Sequence, residues 1–343
     1  MTLPDISQFD RAGLERVLAE AGEPRYRARQ LLRWLWTRHA QSFNEMTDLP
    51  ARLRSDLQGR FVIAWPELVA REISSDGTRK YLWRFSDGVT AESVGIPSGH
   101  RLTVCFSTQA GCAMGCAFCA TGASGLTRSL HAGEMAAQVA EAARDMGMRA
   151  SNAVAMGQGE PFANYEATLA ALRILNDPDA LGIGARHITV STCGIVPAID
   201  RFASEPEQFT LAISLHSAVQ ETRDRLMPGV RRYPLPRLRE AVARYASSTG
   251  RRPTLEVALI SGVNDTFEEI DALVEFCTGL AVHVNLIPMN PVEGSALSRS
   301  ADARVRAVLR ALASAGVETS VRAERGADIS AACGQLRQRV GGS

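Results

Sequence analysis

Three cysteines, Cys112, Cys116 and Cys119, are spaced C-x3-C-x2-C within the run G-C-A-M-G-C-A-F-C. Three thiolates from one short loop can bind three irons of a cubane iron–sulfur cluster. The fourth iron then finds no cysteine nearby and is open to a ligand, which is the arrangement of a catalyst. With 7 Cys in 343 residues, chance would produce this spacing in roughly three chains per thousand. The spacing therefore predicts a catalytic iron–sulfur cluster.

A zinc site is the main alternative for these three thiols. A structural zinc ion takes four Cys or His ligands, and the chain has no second C-x2-C pair that could complete such a set. His131 is the nearest histidine downstream and stays open as a fourth ligand. The pattern of strands and helices around the cysteines favours the cluster.

From about residue 101 onward, short apolar strands alternate with amphipathic helices. Repeated β-then-α units predict a parallel sheet covered by helices, either an open doubly wound sheet or a full or partial barrel. The predicted strands are 102–106, 152–156, 187–191, 209–215, 254–260, 282–287 and 317–321. The predicted helices are 133–147, 165–176, 196–203, 235–247, 266–277 and 301–315.

Polar motifs follow these strands, each at the point where a strand ends. They comprise residues 157–161, residues 191–194, Ser214 with His216, Asn264 with Asp265, and Asn290. In (β/α) barrels the carboxyl ends of the parallel strands form the active face. Because several strands contribute, the sequence predicts one central site.

The first hundred residues have a different organisation. Apolar residues at three- and four-residue spacing predict helices at 10–21 and 25–40. Residues 68–97 alternate with period two, and Ser-Asp-Gly turns at 75–77 and 86–88 separate three predicted strands. We therefore predict an N-terminal helical module at 1–60, a small β extension at 61–97, and a core at 98–343 that includes a C-terminal loop.

Composition limits the class of protein. The chain is 45% hydrophobic, enough for one large α/β core with an appendage or for two domains. It has no run of about 18 uncharged apolar residues, and residues 1–10 lack the basic start and apolar run of a secretory signal. We therefore expect a cytoplasmic protein without a membrane partner. An odd number of cysteines, with three clustered, disfavours a disulfide framework.

Arginine is concentrated in two segments, although the formal net charge is only +1. Residues 223–252 contain nine Arg against Asp224 and Glu240, and the segment 25–38 interleaves five Arg with Tyr26, Trp34 and Trp36. Such mixtures can pair with phosphates and stack on bases. The alternative is a chain-wide preference for Arg over Lys, with these runs as solvated faces. The arginines of the segment 25–38 are Arg25, Arg27, Arg29, Arg33 and Arg38.

Eight runs of sequence, in order over residues 90–336, together resemble one family, the RlmN/Cfr family of radical S-adenosylmethionine enzymes that methylate rRNA. The runs are V-C-F-S-T-Q-A-G-C (104–112), F-C-A-T-G (118–122), M-G-Q-G-E-P (156–161), V-S-T-C-G-I-V-P (190–197), S-L-H-S (214–217), G-V-N-D (262–265), N-L-I-P-M-N-P (285–291) and R-G-A-D-I-S-A-A-C-G-Q-L (325–336). The resemblance implies an α/β fold: a partial (β/α)6, TIM-like radical SAM barrel with an N-terminal helical module and a small β-meander.

The resemblance also implies the cofactors. One [4Fe-4S] cluster on Cys112, Cys116 and Cys119 would bind S-adenosylmethionine through its open iron and cleave it to a 5′-deoxyadenosyl radical. Two molecules of S-adenosylmethionine would be used per turnover. An electron donor such as flavodoxin or ferredoxin would reduce the cluster. The residues that match the family's S-adenosylmethionine contacts are Gly159, Glu160, Ser191, Ser214, Leu215, His216 and Asn290.

Three further residues match the family's reactive groups. Cys333 matches the cysteine that is methylated and then carries the one-carbon unit, Cys105 matches its resolving partner, and Glu92 matches the proton acceptor. Taken alone, a free cysteine such as Cys105 would more often be a small buried hydrophobe. The implied cycle ends with a disulfide between Cys333 and Cys105, which a reductant must reset.

The implied substrate is adenosine 2503 of 23S rRNA and adenosine 37 of tRNA, methylated at carbon 2 by a monomer. Pro161 and the pair Arg325-Gly326 favour carbon 2 over the Cfr-like methylation of carbon 8, which gives antibiotic resistance. Carbon 2 is electron-poor, so it needs radical chemistry that a cofactor supplies. A radical enzyme acting on a small molecule and a non-catalytic iron–sulfur module that binds rRNA are the other candidates.

Overall fold

The computed structural model describes residues 3–289, 297–323, 325–326, 328–329 and 336. Its strands are β1 (Glu67–Ile73), β2 (Arg79–Arg84), β3 (Thr90–Ser98), β4 (Arg101–Cys105), β5 (Gln109–Gly111), β6 (Leu126–Ser129), β7 (Ala150–Ala155), β8 (Ile188–Thr192), β9 (Thr210–Ser214), β10 (Thr254–Leu259), β11 (His283–Pro288) and β12 (Glu318–Val321). Ten of them form one sheet in the order β1-β2-β3-β4-β7-β8-β9-β10-β11-β12, and β5 pairs with β6.

Strand order decides between the two predicted architectures. From β4 to β12 every neighbouring pair in the large sheet is parallel, and the strands follow one another in chain order. A doubly wound sheet would reverse its order at a switch point. Within the described residues β1 and β12 are the two edges, so the sheet stays open. A partial (β/α) barrel is therefore confirmed, with six strands from β4 to β11 and β12 as a seventh.

Helices fill the connections. They are α1 (Arg11–Glu20), α2 (Arg27–Leu32), α3 (Ala51–Arg60), α4 (Ala120–Ala123), α5 (Ala132–Met146), α6 (Tyr165–Asn176), α7 (Val196–Ala203), α8 (Gln220–Leu226), α9 (Leu235–Thr249), α10 (Phe267–Cys277) and α11 (Asp302–Ser314). The predicted barrel helices and strands agree with these bounds to within two residues at each end. The short helices α4 and α8 were not predicted, since neither is long enough to show a clear apolar period.

The β extension is an antiparallel meander that joins the barrel at its edge. β1 pairs with β2, β2 with β3, and β3 with β4, all antiparallel. The chain turns between β1 and β2 at the predicted Ser-Asp-Gly site, where Gly77 has φ +83°, a conformation that favours glycine. Through β3 the meander is directly bonded to the first parallel strand, β4.

The amino-terminal helices pack on the barrel through a close contact. Gly133 in α5 lies against Ser7, and a Cβ at this glycine would come within 2.8 Å of the Ser7 backbone. One hydrophobic core runs from Ile6 and Leu14 in this region to Leu312 in α11. The domain boundaries at residues 60 and 97 stay a prediction. No helix among the described residues is both long enough and apolar enough to cross a bilayer.

A buried carboxylate joins the helical module to the barrel. Asp179, in the loop after α6, is 9% exposed and accepts hydrogen bonds from Arg11 (2.7 Å), Arg29 (3.2 Å) and Arg33 (2.8 Å). Arg11 also binds Asp177 at 2.5 Å. Because three cations converge on one carboxylate, the pKa of Asp179 lies below its usual range even though burial acts in the opposite direction.

We expect Asp179→Asn to lower the free energy of unfolding by about 2 kcal/mol, since a shielded carboxylate that binds three guanidinium groups is lost. Asp56→Asn is the matched control, because Asp56 makes only an exposed i,i+4 pair with Arg60 at 3.3 Å, worth about 0.5 kcal/mol. Urea denaturation followed by circular dichroism measures both. Equal losses in the two variants would contradict the role of Asp179.

Candidate active site

A cavity of about 230 Å³ lies at the carboxyl ends of the parallel strands. The cysteine loop between β5 and α4 forms one side of it, and residues that end or follow β7, β8, β9 and β11 form much of the rest. Eight predicted site residues line this one cavity. They are Cys112, Cys116, Cys119, Gly159, Glu160, Ser191, Ser214 and His216.

The cysteine loop is held by backbone hydrogen bonds. The Cys112 N–H donates to the Gly125 carbonyl at 2.9 Å, and the Cys119 N–H donates to the Cys116 carbonyl at 3.1 Å. Burial raises the pKa of the Cys112 thiol to about 11 and that of the Cys116 thiol to about 12. Bound metal would offset this burial by stabilising the thiolates, so metal binding would release protons.

The three thiols fit a cluster better than a zinc ion. Within the described part of the chain, no three His, Cys, Asp or Glu side chains are grouped as ligands of a single ion. Zinc needs its sulfur ligands about 2.3 Å from one point, whereas each cysteine of a cubane binds a different iron. His131 is exposed at the start of α5 and does not line the cavity. His131 is therefore not placed to act as a fourth zinc ligand in this structure.

Glu160 is fixed by the backbone around it. One carboxylate oxygen accepts the Phe162 N–H at 2.9 Å, and the other accepts the Cys193 N–H at 2.7 Å. The side chain is buried, and burial raises its pKa. Gly159 precedes it at φ +100°, where a Cβ would come within 2.6 Å of Gln109. Only glycine lets the chain turn here and aim the carboxylate into the cavity.

His216 is a neutral buried histidine with a constrained backbone. Its φ of +58° is unusual for a residue with a side chain. The Asn264 amide stabilises this conformation by donating to the His216 carbonyl at 2.5 Å and to the Ala258 carbonyl at 2.7 Å. Nδ1 of His216 accepts the Ala258 N–H at 3.0 Å, so Nε2 carries the proton. Burial, followed by the charge of Arg223, lowers the pKa of His216 to about 3.

Ser191 and Ser214 line the cavity, whereas the Leu215 side chain does not. Ser191 on β8 and Ser214 on β9 line the cavity. Leu215 has a fully buried side chain in the hydrophobic core, and its N–H donates to the Glu256 carbonyl at 3.0 Å. A contact from Leu215 to a ligand would therefore involve its backbone.

Cys105 and Glu92 lie together on the adjacent strands β4 and β3. The Cys105 thiol receives a hydrogen bond from the backbone of Met156, which lines the cavity. Burial raises the pKa of this thiol to about 11, while Arg322 and Lys80 act in the opposite direction. Cys105 therefore does not line the cavity itself but contacts Met156, which does.

Glu92 is 3% exposed and lies 3.1 Å from the fully buried ammonium of Lys80, the only lysine of the chain. Burying a carboxylate is costly unless it is paired or hydrogen-bonded, and Lys80 is such a partner. The meander thus delivers a charged pair to the region of Cys105.

Two charged residues of the cavity were missed by the sequence analysis. Arg322, after β12, donates its N–H to the Leu286 carbonyl at 2.8 Å. Glu256 on β10 accepts a hydrogen bond from Asn285 at 3.0 Å, and burial raises its pKa. Glu256 had a detectable signal, since it is a charged residue inside the apolar strand T-L-E-V-A-L.

Asn290 and Cys333 lie outside the described residues. The segment before Cys333 contacts the turn between β1 and β2. The Gly326 N–H donates to Asp76 at 3.1 Å, and Asp328 accepts the Ser75 N–H at 2.9 Å and the Ser74 hydroxyl. The meander therefore anchors the chain five residues before the predicted methyl carrier.

Comparisons with known proteins cover nearly the whole chain. The family model "Ribosomal RNA large subunit methyltransferase N-terminal domain" matches residues 4–63, and the model "Radical SAM superfamily" matches residues 106–277. A probable dual-specificity RNA methyltransferase RlmN from Pelotomaculum thermopropionicum is 46% identical, covering 98% of this chain and 92% of the relative. The protein of the same name from Gemmatimonas aurantiaca is 47% identical, covering 99% and 95%.

A solved structure is also similar over nearly the full length. The crystal structure of a radical SAM methyltransferase from Sphaerobacter thermophilus has 46% sequence identity and a TM-score of 0.89. The match covers 97% of this chain and 98% of that chain.

The lowered pKa of His216 predicts acid sensitivity. Its folded value of about 3 is below the unfolded value of about 6.5, so the neutral ring stabilises the fold above pH 6.5 and this contribution is lost as the pH falls towards 3. Between pH 7.5 and 5.0 the wild type should lose about 2 kcal/mol more stability than His216→Gln. Urea unfolding of the metal-free protein at both pH values measures this. The exposed His100 supplies the control His100→Gln, which should keep the wild-type slope; a His216→Gln slope equal to it would refute the assignment.

Proposed function

Because the chain belongs to the RlmN family of radical S-adenosylmethionine RNA methyltransferases, we propose that it methylates carbon 2 of adenosine 2503 in 23S rRNA and of adenosine 37 in tRNA. The observation that carries the proposal is the full-length similarity to relatives named as dual-specificity RNA methyltransferases, at 46–47% identity. This similarity includes the amino-terminal module. The cavity supports it, since it gathers the three cluster cysteines and five of the predicted S-adenosylmethionine contacts.

The cavity residues would hold the two cofactors. Cys112, Cys116 and Cys119 would bind a [4Fe-4S] cluster, which with S-adenosylmethionine supplies a 5′-deoxyadenosyl radical. Glu160 offers a carboxylate locked by two backbone N–H groups, a fixed acceptor for an ammonium group. His216 stays neutral at physiological pH, so it adds no positive charge beside a sulfonium cofactor. An electron donor such as flavodoxin or ferredoxin would reduce the cluster.

Cys333 would carry the carbon. Two molecules of S-adenosylmethionine would be used per turnover, one to methylate the Cys333 sulfur and one to activate that methyl group. The activated carbon would bond to adenine carbon 2, and the adduct would give up one electron to an acceptor such as the oxidised cluster. Glu92, which lies 3.1 Å from Lys80, would remove the proton from that position. Lys80 would thereby act as a positioning residue that holds the Glu92 carboxylate by an ion pair in a buried environment.

Cys105 would release the product. Its thiolate attacks the Cys333 sulfur, the carbon–sulfur bond breaks with its electron pair on carbon, and that carbon takes up a proton to become the methyl group. The two cysteines are left as a disulfide, which an external reductant must reset. Burial raises the pKa of Cys105 to about 11 and so disfavours the thiolate that this step requires. The nearby cations Arg322 and Lys80 act in the opposite direction and favour the thiolate.

Many arginines of the two arginine-rich segments contact other groups of this chain. Four arginines of the segment 25–38 pair with carboxylates of this chain, and Arg38 stacks over Trp34. In the second segment Arg223 is fully buried, and several others bind carbonyls or carboxylates. Four arginines of this second segment, Arg225, Arg231, Arg232 and Arg237, are exposed. We propose that these four side chains contact RNA phosphates, because exposed arginines can reach a phosphate without a rearrangement of the protein core.

Mass spectrometry of nucleosides tests the function. Purified 23S rRNA and tRNA from cells lacking this enzyme should gain 2-methyladenosine on incubation with reconstituted enzyme, S-adenosylmethionine and a reductant under anaerobic conditions. Cys333→Ala should make none, because the carbon carrier is lost. Product as 8-methyladenosine would instead assign Cfr-like chemistry. Full activity of Cys333→Ala would refute the methyl-carrier mechanism.

Loss of the resolving thiol predicts a trapped intermediate. Cys105→Ala should form a covalent protein–RNA adduct and release less than about 1% of the wild-type product, because no neighbouring thiol attacks the Cys333 sulfur. Denaturing gel electrophoresis detects the adduct. Cys277→Ala is the matched control, since Cys277 is also buried but lies in α10 away from the cavity. Normal turnover by Cys105→Ala would exclude this role.

A further inference from the structure

Arg223 is a fully buried cation that the proposed chemistry does not use. Its side chain is 0% exposed on α8, and one nitrogen, Nη2, donates to the Cys193 carbonyl at 2.7 Å. Its Nε and Nη1 groups find no hydrogen-bond acceptor among the described residues. Leaving buried charged donors without acceptors costs several kcal/mol, so such an arrangement calls for a partner.

Carboxylates of the described residues do not supply that partner. None lies within ion-pair distance of Arg223 in the described part of the chain. The acidic groups that interact with it electrostatically are the thiols of Cys193 and Cys116 and the carboxylate of Asp224 on its own helix. Cys116 is one of the three cluster cysteines, so a cluster bound there would place negative charge on a side chain that already interacts with Arg223.

The segment that carries Arg223 is attached to the cysteine loop. The Ala117 N–H donates to the Leu226 carbonyl at 2.9 Å, and the Gly229 N–H donates to the Met114 carbonyl at 3.0 Å. A Cβ at Gly229 would lie 2.7 Å from the Met114 Cα, so this approach requires glycine. Within the same segment, the Arg223 carbonyl accepts the Met227 N–H. Arg223 is therefore fixed relative to the cysteine loop.

We propose that Arg223 is the buried counter-charge of the iron–sulfur cluster. It is a positioning residue with two N–H groups that lack an acceptor among the described residues, on a segment that is hydrogen-bonded to the cysteine loop. This rests on the assignment of a cluster to the three cysteines. Three thiolates give an oxidised [4Fe-4S]²⁺ core a net negative charge, and reduction adds a further electron. A fixed cation beside the cluster therefore stabilises the loaded protein over the empty one, and the reduced cluster over the oxidised one.

The first test compares stability with and without the cluster. Thermal unfolding is measured anaerobically for wild type, Arg223→Met and Arg223→Lys, each as metal-free protein and after reconstitution with iron and sulfide. Arg225→Met is the control, because Arg225 lies on the same helix and is exposed. The rise in Tm on loading should be smaller in Arg223→Met than in the other three proteins. A residue that merely holds the Cys193 carbonyl would lower both forms equally and leave the rise unchanged.

The second test measures reduction directly. At one fixed potential, the ratio of reduced to oxidised cluster, read by electron paramagnetic resonance, should be about tenfold lower in Arg223→Met than in wild type, which corresponds to about 59 mV. Arg223→Lys should retain most of the wild-type ratio. Equal ratios and equal Tm increments in wild type and Arg223→Met would overturn the proposal.

Two further outcomes are distinguishable. Wild type that takes up zinc, or no iron, refutes the cluster itself and so the proposed function. If Arg223→Met does not fold, Arg223→Gln replaces it against Arg223→Lys. A lower fraction of reduced cluster in Arg223→Gln than in Arg223→Lys then supports the role of Arg223 as counter-charge, and equal fractions overturn it.

Discussion

Parallel pairing of successive strands is the constraint on which the site depends. In the large sheet, each strand from β4 to β12 pairs in parallel with its neighbour, so these carboxyl ends reach the same edge of the sheet. Glu160, Ser191 and Ser214 are far apart in sequence and meet in one cavity for this reason alone. The cysteine loop has little regular structure of its own, and it is held over this edge by α8 and the residues after it.

Three buried ionisable groups of this fold are paired, hydrogen-bonded or neutral. Glu92 is paired with Lys80, Glu160 accepts two backbone N–H groups, and His216 stays neutral. Arg223 differs from these three groups, because its side chain is fully buried and two of its donors have no acceptor among the described residues. An unpartnered buried cation is disfavoured, so this arrangement favours a bound group nearby.

Local patterns predicted the elements, and contacts distant in sequence determined what the predictions missed. Periodicity located the barrel strands to within two residues, and the spacing of Cys112, Cys116 and Cys119 indicated the cluster. Arg29 and Arg33 were expected to face RNA, yet they bind Asp179, about 150 residues away, which no local pattern reveals. Lys80 and Arg322 were missed because their importance comes from strand pairing.

The position of Cys105 constrains how the proposed disulfide can form. Cys105 is fixed in β4, where it pairs with Val94 of β3 on one side and Val154 of β7 on the other. Moving its backbone would break the sheet at the point where the meander joins the barrel. Cys105 is therefore the fixed member of the proposed disulfide. The turn between β1 and β2 also binds Gly326 and Asp328, so the meander contributes both the charged pair beside Cys105 and contacts to the chain before Cys333.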